Sequence, residues 1–177
     1  MKKSEVIKEI ERLNGNVETI GAKFNAINKL IPLIHTDKKV REILLEKINC
    51  GEYELEAYLI KKLVFIIPFD KGIKNEVIKN INSSFTSSIL DSLRALILID
   101  EDIKNEVIKL LRHDEMFVRL KAFEVLITFV TFDKNIKSEI MKLLNDKNSS
   151  LRFFVYESII LLSSYNEDIQ KELIDNI

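Results

Sequence analysis

Cysteine, glycine, proline and tryptophan are all scarce in this sequence, with one Cys, four Gly, two Pro and no Trp among 177 residues. The single cysteine, Cys50, excludes an intramolecular disulfide and fits a reducing compartment. The glycines are scattered at residues 15, 21, 51 and 72, so there is no glycine-rich loop to hold a phosphate. Because glycine is scarce and strand-type alternation is absent, the sequence favours helices.

Long apolar runs and an excess of one charge are also missing. The longest uncharged apolar stretch, residues 125 to 132, is far shorter than the roughly 20 residues that cross a bilayer. Residues 1 to 13 are charged and amphipathic, unlike a secretory signal. The net charge of −1 provides no overall field toward nucleic acid or an anionic membrane. We therefore expect a soluble cytoplasmic protein that does not bind membranes.

An acid or an amide recurs along the chain at nearly constant intervals. Successive members are 33, 30, 33 and 33 residues apart, and they are Asp37, Asp70, Asp100, Asp133 and Asn166. Side chains of this type cap helix N-termini, because their oxygen accepts a hydrogen bond from a first-turn amide. An apolar residue follows three positions later in every copy, as in an amphipathic helix. The column predicts five related helices, which we call A helices.

A more apolar B helix follows each A helix except the last, which indicates a repeat protein built from helix pairs. We predict an all-α fold, an α-α superhelix of about five helix pairs plus a C-terminal helix, in one domain over residues 1–177. A divergent first pair occupies 1–34 and its second helix ends or kinks at Pro32. The next pair begins at about 37 and stops at Pro68, and further pairs begin at about 70, 100 and 133.

The terminal helix, residues 166–177, repeats the A-helix pattern without a matching B helix. Its apolar positions are Ile169, Leu173, Ile174 and Ile177. Such a helix is a cap on the fifth pair, a docking edge for a partner or a second copy, or the sign of a shortened chain. We favour the cap, because terminal repeats normally cover their neighbour with a polar outer face.

The fourth and fifth pairs share a short pattern of leucine, turn acid, arginine and small or apolar residues. Its members are Leu111, Asp114, Val118-Arg119, Ala122 and Leu126 in the fourth pair, and Leu144, Asp146, Leu151-Arg152 and Ile159 in the fifth. The pattern resembles the HEAT-like repeat family, in the variety named after phycobilisome lyases. The resemblance implies an α-solenoid with A helices on the convex side and B helices on the concave side.

The resemblance also implies a ladder of contacts between the turn acid and the arginine of neighbouring repeats. Two departures from the pattern affect this ladder. His113 stands where the fourth turn usually has an acid, and the third pair lacks both the acid and the arginine. We expect the ladder to be interrupted at the third pair.

No catalytic or metal-binding cluster is visible in the sequence. His35 and His113 fall in predicted turns without a Cys or His at ligand spacing, so we interpret them as exposed structural histidines. We interpret Cys50, at the end of an A helix, as a small buried filler. We therefore predict a non-enzymatic protein without metal or cofactor.

Lysines recur on the A helices in two columns, Lys74, Lys104 and Lys137, and Lys79, Lys109 and Lys142. Two parallel rows of lysines could follow a phosphate backbone. Glutamates sit three residues before the second row, however, and pairing on a solvated helix face explains them more simply. No aromatic residues alternate with these lysines as base-stacking platforms.

The B helices provide the candidate partner-binding surface, which we call the B-helix stripe. Applying the repeat spacings gives Tyr58 and Lys61 in the second pair, Asp91 and Arg94 in the third, Lys121 and Glu124 in the fourth, and Phe154 and Glu157 in the fifth. The middle row, Lys61, Arg94, Glu124 and Glu157, changes from basic to acidic along the stack. The alternative is that these are solvated and edge positions in imperfect register.

We expect the chain to be an interaction scaffold that binds a protein through the B-helix stripe or the terminal helix, because solenoids commonly bind partners on extended concave surfaces. The alternative is a nucleic-acid-binding protein, since the fold resembles that of the HEAT-like alkylpurine DNA glycosylases. An accessory role like that of phycobilin lyase subunits is suggested only by the repeat variety. A homo-oligomer formed through the terminal helix stays open.

Overall fold

The chain is all-helical in a computed structural model, as predicted. The structure describes residues 1–15, 18–81, 86–164 and 166–175, and no strand occurs among them. The helices group into two compact units, Met1–Ile103 and Lys104–Ile177. The arrangement as one domain and as a superhelix stays a prediction.

The first unit contains three successive helix pairs. Its helices are α1 (Lys3–Asn14), α2 (Ile20–Leu30), α3 (Lys38–Lys47), α4 (Tyr53–Leu63), α5 (Lys71–Ile81) and α6 (Thr86–Leu93). The B helices α2, α4 and α6 pack in that order, α2 against α4 and α4 against α6. The expected Asn14-Gly15-Asn16 turn after α1 lies partly outside the described residues.

Helix α7 (Glu101–Lys109) contains the division between the units, which falls after Ile103. The second unit continues with α8 (Met116–Leu126), α9 (Lys134–Lys142), α10 (Ser149–Ser163) and α11 (Glu167–Asp175). Here α10 packs against both α8 and α11. Ile169 of α11 is buried and Ile174 is exposed, whereas the Leu173 side chain and Ile177 lie outside the described part of the chain.

The predicted capping column is confirmed at every position. Asp37, Asp70 and Asp133 each accept hydrogen bonds from two first-turn amides, at 2.9 to 3.1 Å. Asp100 and Asn166 each accept one, at 3.2 and 3.1 Å. Each cap satisfies amides that have no partner within the helix, and this contributes about 1 kcal/mol per helix.

Most B helices end in a tighter 3-10 turn before the next cap. These turns are Ile31–Leu33, Ile67–Phe69, Arg94–Leu96 and Ile127–Phe129. Pro32 and Pro68 lie in the first two, where a missing amide hydrogen does not break an α-helical hydrogen bond. The two prolines therefore mark helix ends, as expected, and the other two turns form without proline.

Burial on the B helices shows how the repeats align. In α4 and the turn that follows it, the fully buried residues include Leu59, Ile60, Leu63 and Ile67. The matching buried residues in and after α6 are Ile89, Leu90, Leu93 and Ile97, all 30 residues later. The step from α4 to α6 is therefore 30 residues and not 33. The missing three residues lie between Ile81 and Ile89, since these are 8 residues apart, whereas Ile48 and Leu59 are 11 apart.

Candidate functional site

In the first unit, Tyr58 is held between two B helices. Its ring stacks on Phe24 of α2 with 4.0 Å between centroids and an interplanar angle of 11°. Its hydroxyl donates a hydrogen bond to Asn28 Oδ1 at 3.0 Å, and the Lys62 ammonium lies 5.1 Å from the ring centroid. Lys61 beside it is exposed. The stripe thus begins with a fixed aromatic ring next to a solvated cation.

Asp91 and Arg94 lie at the end of α6 and in the turn that follows. Arg94 Nη2 approaches Asp91 Oδ1 at 3.4 Å, and the two side chains are 41% and 49% exposed. A pair with this exposure contributes little to stability, because water screens it. Both side chains remain accessible to a partner.

In the second unit, the stripe residues of α8 and α10 have different surroundings. Lys121 Nζ and Glu124 Oε2 form an ion pair at 3.1 Å on α8. Phe154 of α10 meets Phe123 of α8 edge to face, with 5.9 Å between centroids and an angle of 76°. Glu157 of α10 is exposed. Phe154 therefore packs between two helices, and Glu157 is open to solvent.

The 30-residue step from α4 to α6 changes which residues of the B-helix stripe occupy equivalent positions. Lys61 corresponds to Asp91 and not to Arg94, whereas Glu124 and Glu157 keep their places. Three residues on a helix rotate a side chain by about 300°, so Arg94 points about 60° away from the expected row. The equivalent positions therefore carry one lysine followed along the sequence by three acids. The B-helix stripe as a binding surface stays a prediction.

A ladder of ion pairs, which the sequence interpretation missed, connects the A helices. At three successive caps, the base four residues later reaches the cap acid of the next repeat. Arg41 holds Asp70 through two bonds of 2.6 and 2.7 Å, and Lys104 Nζ lies 2.9 Å from Asp133 Oδ2. Lys74 Nζ lies 3.3 Å from Asp100 Oδ2 and 2.7 Å from Asp102 Oδ2. We call these contacts the cap ladder.

The cap ladder changes the acidity of its carboxyl groups. The two hydrogen bonds from Arg41, helped by the amides of Ile73 and Gly72, lower the pKa of Asp70 from 3.8 to about 2. Burial opposes ionisation of Asp133, but hydrogen bonds from the Ile136 amide and Lys104 keep the pKa of this acid below its usual value. The cap acids therefore stay ionised while they bind both their own helix and its neighbour.

A second ladder runs through the turns that precede the B helices. Arg119, only 3% exposed, donates from Nε and Nη2 to the two carboxylate oxygens of Asp146, both at 2.8 Å. Its Nη1 donates to the carbonyl oxygens of His113 and Asp114 at 2.7 and 2.8 Å. Lys23 and Glu52 form a similar contact at 2.5 Å in the first unit. We call these contacts the turn ladder.

The turn ladder is not uniform along the chain. Glu56 occupies the position of the base in the second pair, where it accepts a hydrogen bond from the Gly51 amide in its own turn. In the register set by burial, the third pair has Thr86 at this position, which cannot supply a cation. The expected interruption of the ladder at the third pair stays a prediction, because the side chains of this turn lie outside the described residues.

A polar cleft of about 320 Å³ lies beside the turn ladder in the second unit. Arg112, Glu139 and Lys142 line it together with Arg119 and Asp146. Glu139 pairs with Arg112 at 2.5 Å and with Lys142 at 2.6 Å, and hydrogen bonds from Lys142, then Arg112, hold its pKa below the usual value. The carboxylates of Glu139 and Asp146 are thus each paired with basic side chains that line the same cleft. This arrangement indicates a structural role for the cleft.

No protein-family model matches the chain, and no curated protein is similar to it. The resemblance to the HEAT-like family therefore stays a prediction carried by the pattern around Arg119 and Arg152. What the molecule can bind has to be inferred from its own ladders and from the surface that its B helices expose.

The A-helix lysines pair with acids in both columns. Lys79, Lys109 and Lys142 lie 2.5 to 2.6 Å from the glutamate three residues before each of them, as the sequence suggested. Lys74 and Lys104 belong to the cap ladder, so they bridge repeats and do not form a solvated row. A lysine that is already paired with an acid would have to break that ion pair before it could bind a phosphate.

Histidine and cysteine have ordinary structural surroundings. His35 is 58% exposed with Nδ1 3.8 Å from Asp70 Oδ2, and His113 Nδ1 accepts a hydrogen bond from the Glu115 amide at 3.1 Å. Cys50 is half-buried, and burial raises its pKa above 9, which disfavours the thiolate. Among the described residues no three His, Cys, Asp or Glu side chains are grouped to hold a metal ion.

None of the described helices has the length and apolar character needed to cross a membrane.

Large apolar side chains just before the caps are a further feature that sequence reasoning missed. Phe69 is 90% exposed, Ile99 69% and Phe132 81%, and each immediately precedes a cap aspartate. A residue at this position often packs on the first turn of the helix, but these three face solvent. They could have been found from the cap column, because each stands one residue before it.

Proposed function

We propose that this chain is a scaffold of the HEAT-like α-solenoid type that binds a partner protein through its B-helix stripe. The observation that carries the proposal is the repeated exposure of charged side chains on packed B helices. Lys61, Asp91 and Glu157 recur at equivalent positions, on helices whose opposite faces are fully buried. Within each unit, side chains on helices that are already packed cost a partner little ordering of the scaffold.

The charge along the stripe indicates what kind of partner it would take. One lysine is followed by acids at the next three equivalent positions, so a partner segment with a basic stretch would complement most of it. Tyr58 and Phe154 provide flat apolar area at low conformational cost, because their rings are already packed on neighbouring aromatic rings. A cytoplasmic location stays part of this proposal.

Protein is favoured over nucleic acid as the partner because the lysines of the A helices are locally neutralised. Lys79 and Lys109 each lie within 2.6 Å of a glutamate, and Lys104 binds Asp133. Binding to phosphate would have to break these pairs, and the acidic stripe would repel a nucleic acid. A salt-sensitive shift of duplex DNA at low salt is the outcome that would restore the nucleic-acid alternative.

A charge-reversal experiment tests the proposed function. The full chain is used as bait in extract of the cells that express it, together with the double variant Lys61→Glu and Glu157→Lys. The control is Lys79→Glu with Lys109→Glu, which changes equally exposed charges on A helices. We expect a partner that wild type and control retain and that the stripe variant loses about tenfold. Equal recovery with the stripe variant would refute the proposal.

A further inference from the structure

Helix α10 exposes a row of large apolar side chains on one face. Phe153 is 62% exposed, Tyr156 39% and Ile160 40%, and their spacing of three and four residues places them side by side on the helix. The opposite face, with Leu151, Val155 and Ile159, is fully buried. We call the exposed row the end face of α10.

The preceding B helix shows what normally covers this face. The residues of α8 at the equivalent positions, 33 residues earlier, are Leu120, Phe123 and Ile127. Phe123 is only 1% exposed, and it meets Phe154 of α10 edge to face, with 5.9 Å between ring centroids. The end face is therefore the surface on which, one repeat earlier, the next B helix packs.

Arg152 provides a second, independent observation at this face. Its counterpart Arg119 makes two 2.8 Å hydrogen bonds to the carboxylate of Asp146, which lies in the turn before α10. For Arg152 the structure records one hydrogen bond, from Nη1 to the Asp146 carbonyl oxygen at 2.7 Å. No carboxylate in the part of the chain that the structure describes pairs with it. The planar guanidinium suits a two-point contact with a carboxylate.

We propose that the end face of α10 binds an amphipathic helix of a partner protein that carries a carboxylate in the turn before the helix. The carboxylate pairs with Arg152, as Asp146 pairs with Arg119, and a large apolar residue in the first two turns covers Tyr156, as Phe154 covers Phe123. The partner helix thereby continues the packing already present between α8 and α10. This inference rests on the proposed function as a protein-binding scaffold, but it depends on Arg152 and Tyr156, which are not residues of the B-helix stripe.

The segment that packs on α8 supplies a natural probe. A labelled synthetic peptide with the sequence of residues 145–164 contains the turn acid and the helix of this repeat. In the peptide, Phe153→Ser, Tyr156→Ser and Ile160→Ser remove its own end face, so that one peptide cannot bind another. The probe is titrated with the full chain, and binding is followed by fluorescence anisotropy.

We expect saturable binding to the wild-type chain. Tyr156→Glu in the chain should weaken it about tenfold or more, because a charge then faces the apolar contact. Arg152→Gln in the chain and Asp146→Asn in the peptide should each weaken it several-fold, and together no more than either alone, as two partners of one contact. The control Phe117→Ser, at a 75% exposed residue of α8 outside the end face, should bind as wild type does.

Three results would overturn the proposal. The first is that the peptide does not bind the wild-type chain. The second is that the Tyr156→Glu variant, with an unchanged circular dichroism spectrum, binds the peptide as tightly as wild type. The third is that light scattering shows a dimer of the wild-type chain that Tyr156→Glu dissociates. The last result would assign the face to a second copy. The Lys61→Glu variant separates this inference from the proposed function, because it changes the stripe only. Suppose that the wild-type chain captures a partner that the stripe variant loses, but does not bind the peptide. This combination would refute the end-face proposal alone.

Discussion

Replacing Asp70 with asparagine should lower the free energy of unfolding by about 2 kcal/mol at pH 7. The pKa of Asp70 falls from 3.8 to about 2 on folding, chiefly through its two hydrogen bonds from Arg41. A difference of this size corresponds to about 2 kcal/mol of stability when the acid is ionised in both states. Asparagine keeps the helix cap, since it caps as well as aspartate, so the loss reports chiefly the ion pair with Arg41.

The pH dependence fixes the sign of this prediction. Because folding lowers the pKa of Asp70, its contribution is fully present above the unfolded value of 3.8 and is lost as the pH falls toward about 2. The difference between wild type and Asp70→Asn should therefore close between about pH 4 and pH 2. Urea unfolding at several pH values, followed by far-ultraviolet circular dichroism, measures it.

Asp37 offers a matched control for Asp70. It caps α3 through the amides of Lys39 and Val40, at 3.0 and 3.1 Å, and no ion pair to it is present among the described residues. Asp37→Asn should change the free energy of unfolding by less than about 0.5 kcal/mol. If Asp70→Asn and Asp37→Asn are equally stable at pH 7, the cap ladder does not stabilise the repeats and the reasoning is refuted.

The remaining predictions concern the turn ladder and the half-buried thiol. Arg119→Met should lower the free energy of unfolding by about 3 kcal/mol or more, because it leaves the mostly buried Asp146 carboxylate and two carbonyl groups without their donor. Arg152→Met, which loses one recorded hydrogen bond, should cost about 1 kcal/mol, and equal costs in urea unfolding would contradict the ladder. Cys50 should react with a disulfide reagent at pH 8 more slowly than a free thiol of ordinary pKa, because burial raises its pKa; a rate equal to that of glutathione would refute this.

The caps could be predicted from the sequence because they are local. A cap needs only one side chain and the amides two and three residues later, so its signal lies within a few letters. The same holds for the pairs between Lys79 and Glu76 on one helix face, which were predicted and are present. Interactions at this range depend little on how the repeats pack.

The cap ladder could not be predicted in the same way. Arg41 and Asp70 are 29 residues apart, and their contact follows from the packing of two A helices, which the spacing alone does not define. The sequence placed Lys74 in a column of A-helix lysines but indicated no partner for it. An acid three or four residues away on the same helix can be identified as the partner of a lysine from the sequence. An acid in the next repeat can be identified only when the packing of the neighbouring helix is known.

The register of α6 failed for a different reason. The third pair is three residues shorter, and the sequence does not show which connection lost them, so Arg94 was aligned with Lys61 in place of Asp91. A shift of three residues keeps the amphipathic pattern almost intact, because it is close to one helical turn. Only the burial of Ile89, Leu90 and Leu93 fixes the alignment.

The most direct test of the scaffold proposal is photo-crosslinking from defined positions. A photoreactive amino acid replaces Lys61 or Glu157 on the B-helix stripe, or Lys79 or Lys109 on the A helices, and the chain is irradiated in extract of its own cells. We predict one protein adduct of constant mass from both stripe positions and none from the A-helix positions. Adducts only from the A-helix positions, or adducts to nucleic acid, would contradict the account.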